Sequence, residues 1–153
     1  MAQTLRRTLA LTPASAGTAA ATRAETAAST VSRSVAAVGL AAIGLIHLLD
    51  APSKYSETPY MFWMYLTLIA GSLLGAVLLL RAHTRLGWAA ALILSSSPFI
   101  GYVLSRTTGL PGAMGAMGDI GNWTEPLGLA SLYVEACVFA LGLYGLARLR
   151  RTR

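Results

Sequence analysis

"TPYMFWMYLTLIAGSLLGAVLLLRAHTRLGWAAALILSSSPFIGYVLSR", residues 58–106, decides the fold. Two uncharged runs, Thr58–Leu80 and Leu86–Ser105, flank a short basic connection that holds Arg81 and Arg85. A helix needs about 20 apolar residues to cross the hydrocarbon of a bilayer, and both runs reach that length. Neither run keeps a polar stripe. A helix of a soluble bundle would show one on its outer side. Lipid is therefore the expected solvent.

Working outward, two further windows carry the same signature. Ser34–Leu49 is short, but Arg33 can snorkel and Asp50 falls near an interface. Pro126–Ala147 is interrupted only by Glu135. The expected fold class is thus all-α: an integral membrane antiparallel four-helix bundle with spans at 34–51, 59–80, 86–105 and 126–147. Residues 1–33 are rich in Ala, Thr and Ser and contain one acid, Glu25, so they read as a disordered cytoplasmic tail. Residues 148–153 read as a basic cytoplasmic C-terminal tail.

Composition agrees. Hydrophobic residues make up 55% of the chain and charged ones 12%, about half the charged share of a soluble domain. The net charge of +6 comes from residues at chain ends and short connections. No basic face interleaved with aromatics appears, which argues against nucleic acid. The lone Cys137 excludes an internal disulfide and a cysteine metal cluster.

Basic residues also set a direction. Arg6, Arg7, Arg23 and Arg33 precede the first span, Arg81 and Arg85 join the second to the third, and Arg148, Arg150, Arg151 and Arg153 end the chain. The two remaining connections hold only Lys54 and Arg106. By the positive-inside rule both termini are cytoplasmic and the 106–125 loop faces out. Trp63 and Trp123 then sit near the outer boundary and Trp88 near the inner one, as interfacial anchors.

Small residues mark where helices meet, because lipid offers little hydrophobic reward for association. Gly71 and Gly75 form a G-x-x-x-G pair in the second span. Gly128, Ser131, Glu135 and Gly142 share a face of the fourth. Ala37, Ala41, Gly44 and His47 occupy a narrow arc of the first.

Glu135 carries the most chemistry. It lies near the bilayer centre, where a charge costs several kcal/mol and a carboxyl must face the interior and find a partner. The expected partner is the third span at equal depth, where Ser95, Ser96 and Ser97 offer hydroxyls and Pro98 frees the carbonyl of Leu94. This intramembrane polar site is either a clasp between helices or a place for a proton, ion or small ligand.

A second cluster gathers at the outer end. His47 and Asp50 are three residues apart on one helical face, and Arg106 has Asp119 and Glu125 as counter-charges. Together these residues predict an outer vestibule. Met61 with Met64 and Met114 with Met117 are both M-x-x-M pairs, and thioethers with the His47 imidazole are a ligand set suited to Cu(I). No cofactor is otherwise expected, and Cu(I) is the alternative to ordinary methionine packing. Gly109, Gly112, Gly115, Gly118 and Gly121 recur through the loop, which reads as a lid. No phosphate loop, nucleophile triad, H-E-x-x-H or paired catalytic carboxylates occur, so no enzymatic activity is expected.

"GLIHLLDAPSKYSETPYMFWMYL", "GYVLSRTTGLPG" and "EPLGLASLYVEA" resemble a group of small actinobacterial multi-pass membrane proteins with an SRTTGLPG-type outer-loop motif. The resemblance covers about residues 38–147. It implies a bacterial plasma membrane and four spans, and it carries no reaction with it. The functional expectation is a small integral membrane protein, an accessory or partner-binding subunit. Its partners would be the bilayer and another membrane protein or further copies of itself. The alternative is a proton-, ion- or metal-linked transporter or sensor that uses the vestibule and Glu135.

Overall fold

The computed structural model describes residues 13–81, 84–110 and 119–151. Among them are four α-helices and no strand: α1 (Pro13–Glu57), α2 (Pro59–Leu80), α3 (Thr84–Thr107) and α4 (Pro126–Arg151). Each contains a stretch long and apolar enough to cross a membrane. By contacts the chain divides into residues 1–32 and residues 33–153.

The first unit corrects the expectation of a disordered tail. From Pro13 onward it is helical, and residues 1–12 lie outside the described residues. Alanine is the best helix former, and proline at the first position gives up an N–H that has no helical partner anyway. The threonines assist. Thr22, Thr26 and Thr30 each donate a hydroxyl hydrogen bond to the carbonyl four residues back, at 2.9–3.0 Å. Composition suggested disorder because Thr, Ser and Arg are polar, yet the hydroxyls of Thr22, Thr26, Thr30 and Ser32 bond within the helix.

The same helix overruns its expected end. Instead of stopping near residue 51, α1 continues through Pro52 to Glu57, so Lys54 lies on a helical turn. Thr58, buried, interrupts the helix and donates its N–H to the Lys54 carbonyl before Pro59 opens α2.

In residues 33–153 the core runs through Ala36, Leu40, Ile43, Leu79, Ala91 and Val138. Glycines bring the helices together. A Cβ on Gly71 would lie 2.9 Å from Leu94, and one on Gly87 would lie 2.8 Å from Leu79. Gly75 stands against Leu40 and Ala90, and Gly44 against Ser72 and Ile69. Gly142 meets Leu92, and Gly39 meets Val138. Between α2 and α3, and again between α3 and α4, paired positions advance along one helix as they recede along the other. The small-residue stripes of α2 and α4 therefore lie at contacts. The α1 stripe is rotated: Ala41 is exposed, and Leu40 and Ile43 point inward beside Ala37, Gly44 and His47.

Trp88 corrects another expectation. It is 4% exposed, seated where Gly145 has no Cβ to block the indole. Trp63 and Trp123 are exposed.

Candidate functional site

The end of the helices that carries Lys54, Arg106 and the 119–125 segment is hollow. A cavity of about 460 Å³ is lined there by all four helices and by residues of the segment joining α3 to α4. His47, Asp50, Arg106, Asp119 and Glu125 all line it, and so does Glu135 at its floor. Residues from separate vestibule and mid-depth groups thus share one space.

Arg106 organises the mouth. It is the last basic residue of α3 and is 5% exposed. Its Nη1 pairs with Asp119 Oδ1 at 2.8 Å, and its Nη2 pairs with Glu125 Oε2. The guanidinium also lies over the Tyr102 ring, 4.7 Å from the centroid. A charge so deeply covered is tolerable only when paired and hydrogen-bonded, and both terminal nitrogens are, although the Nε of Arg106 is buried without a partner. Backbone bonds tie the same turn of α3 to both ends of the loop. Gly109 N–H donates to the Leu104 carbonyl, and Gly121 N–H donates to the Arg106 carbonyl. Both glycines have positive φ, 76° and 80°, a conformation that side chains with a Cβ disfavour. Residues 111–118 are outside the described residues, so the Met114–Met117 half of the metal expectation and three of the loop's spaced glycines fall there too.

One wall comes from α1 and α2. His47 Nδ1 is 2.9 Å from the Ile43 carbonyl oxygen. A carbonyl only accepts, so Nδ1 carries the hydrogen and Nε2 is left as the acceptor. The imidazole meets Tyr65 edge to face, with centroids 4.8 Å apart. Tyr65 donates its hydroxyl to Asp50 Oδ2 at 3.0 Å, and Ser53 shares its one hydroxyl hydrogen between the Asp50 carbonyl at 2.8 Å and Asp50 Oδ1 at 3.1 Å. Met61 and Met64 line the same space, although Met64 is mostly exposed. Among the described residues no three His, Cys, Asp or Glu side chains group closely enough to hold a metal ion.

At the floor, Glu135 is 1% exposed. Its Oε1 accepts a hydrogen bond from Ser131 at 2.5 Å, while Oε2 has no partner. This corrects the expected pairing with α3. Ser95 donates to the Ala91 carbonyl at 2.7 Å and Ser96 to the Leu92 carbonyl at 2.8 Å, so both hydroxyls are spent on their own helix. Only Ser97, with Pro98, borders the cavity. Serine in a helix interior commonly bonds back to the preceding turn, which satisfies the hydroxyl locally in an apolar setting. Ser131 was legible as part of the inward face of α4, and the i, i+4 spacing to Glu135 was the available signal. Tyr65 and Tyr102 carried no such signal.

Beyond Glu135 the cavity stops. Leu40, Leu79, Trp88, Ala91 and Val138 lie farther along and border none of it. The arrangement is a blind, mixed polar and aromatic pocket with one unsatisfied carboxyl oxygen at its base. No family model, no curated protein and no solved structure matches the chain.

Proposed function

We propose that the chain is a non-enzymatic, four-span protein of a bacterial plasma membrane, folded as an antiparallel bundle with both termini in the cytoplasm. It receives a small solute from the outer side and serves as the binding or sensing subunit of a larger membrane assembly. The observation that carries this reading is the single cavity joining His47, Asp50 and Arg106 to the buried, half-satisfied Glu135. Intramembrane carboxyls are expensive, and those that face a cavity mark solute or proton sites by default. Ser131 alone satisfies one oxygen of Glu135, so a clasp between helices does not account for the residue.

The blind end favours binding over conduction. The half beyond Glu135 is closed by glycine-mediated contacts, and among the described residues the cavity does not continue past them. A transport role would require a rearrangement or a second copy.

Thiol labelling tests the reading. In a Cys137→Ser background, a cysteine replacing Ser97 should react with a membrane-impermeant maleimide added outside intact cells. One replacing Ser34 should react only after the membrane is opened. A protein that is well expressed and labels in the opposite pattern has its cavity facing the cytosol, and the outward-receiving reading fails.

A further inference from the structure

We propose that the cavity is a site for a small organic cation, an ammonium group on an aryl or alkyl body, with Glu135 Oε2 as its counter-charge. This rests on reading the cavity as a ligand site and names the chemistry of the guest.

Charge within the cavity points that way. Its lining holds four carboxyls, Asp50, Asp119, Glu125 and Glu135, against the two permanent cations Lys54 and Arg106. Arg106 is shared between Asp119 and Glu125. Glu135 has only a neutral hydroxyl, on one oxygen, and the other oxygen is buried and unpartnered. Leaving a buried polar atom unpaired costs about 1–3 kcal/mol, and more when it is charged. A guest that brings an N–H or an onium charge to Oε2 removes that cost. An anionic guest would add repulsion from Asp50 and Glu135.

The walls suit the same class. Tyr60, Tyr65 and Tyr102 supply aromatic surface, and Leu68, Met61 and Pro98 supply apolar surface. Aromatic faces attract cations, most strongly where water is excluded. The protein already uses this device at the mouth, where Arg106 lies over Tyr102. The volume of about 460 Å³ falls within the range of small-molecule sites, roughly 300–1,000 Å³.

Calorimetric titration of the full chain in mild detergent tests this with three probes that share one ring: benzyltrimethylammonium, benzyl alcohol and benzoate. The expected result is saturable binding of the ammonium probe, about tenfold or more tighter than either of the others. Glu135→Gln should weaken it by a similar factor, because the amide keeps the shape and loses the charge. Gly101→Leu provides a second variant. Gly101 lines the cavity and has nothing within 4 Å of its missing Cβ, so a leucine there has room to occupy part of the cavity, and it should abolish binding. Equal binding of benzyl alcohol overturns the proposal. So does ammonium binding unchanged by both variants, or no saturable binding by the unaltered protein. If Ser97→Cys still labels from outside in that last case, the ligand-site reading stands and the cationic guest alone is lost.

Discussion

The two halves of the helical unit solve the same problem differently. Toward Arg81 and the C-terminus, helices touch through missing Cβ atoms: Gly39 on Val138, Gly87 on Leu79, Gly142 on Leu92 and Gly145 on Trp88. Toward Lys54 and Arg106, the space between helices is filled by few side chains, and polar groups face it. One half gains dispersion contacts at close range, which is how helices associate when lipid supplies no hydrophobic push. The other half keeps one such contact, Gly128 on Tyr102, and is otherwise held by ion pairs and by the loop. Binding sites are commonly built where a fold tolerates such incomplete packing.

The contrast is sharpest under substitution. Gly145→Leu should cost the most. Its side chain would overlap the Trp88 ring, and overpacking of this kind costs about 1–3 kcal/mol or more. The expected readout is loss of a monodisperse peak in size-exclusion chromatography, and an unchanged peak would break the view of the lower half as a close-packed seal. Arg106→Gln comes next. It strands Asp119 and Glu125, and because these are about one-third exposed the loss should be about 1–2 kcal/mol, below the figure for fully buried pairs. Faster proteolysis between residues 107 and 125 would register it.

Ser131→Ala removes the one hydrogen bond of Glu135 and should cost about 0.6–1.7 kcal/mol, the range seen for bonds between polar side chains in membranes. A thermal melt in detergent measures it. Tyr65→Phe should cost about 1 kcal/mol, since Asp50 then keeps only the shared hydroxyl of Ser53 as a donor. The smallest effect belongs to Gly101→Ala, which meets open space and should leave the melt unchanged or raise it by less than about 1 kcal/mol through helix propensity. A large loss there would mean that the hollow half is as tightly packed as the other.

Much of this organisation is legible in the residues, for identifiable reasons. Charge-free windows mark helices because a charge in hydrocarbon is costly, and that signal is strong per residue. His47, Asp50, Arg106, Asp119, Glu125 and Glu135 stand out as the few polar groups among apolar ones, and they share one cavity. What stayed hidden depends on rotation and local competition. Glu135 pairs along its own helix because Ser131 is one turn away, whereas the α3 serines had nearer carbonyls to bond. Residues 13–33 look loose by polarity and are helical because alanine and back-bonded threonine satisfy the backbone. Trp88 resembles an anchor until Gly145 is seen opposite it, a relation between distant positions that no local pattern encodes.

Pro98 lies where the sealed half gives way to the open one. Having no N–H, it leaves α3 one main-chain bond short at the Leu94 carbonyl, and helices bend most readily at such a place. The stretch from residue 98 to residue 107, which carries Tyr102 and Arg106, thus stands just past the weakest rung of the α3 ladder and owes its place to the side-chain contacts at the cavity mouth.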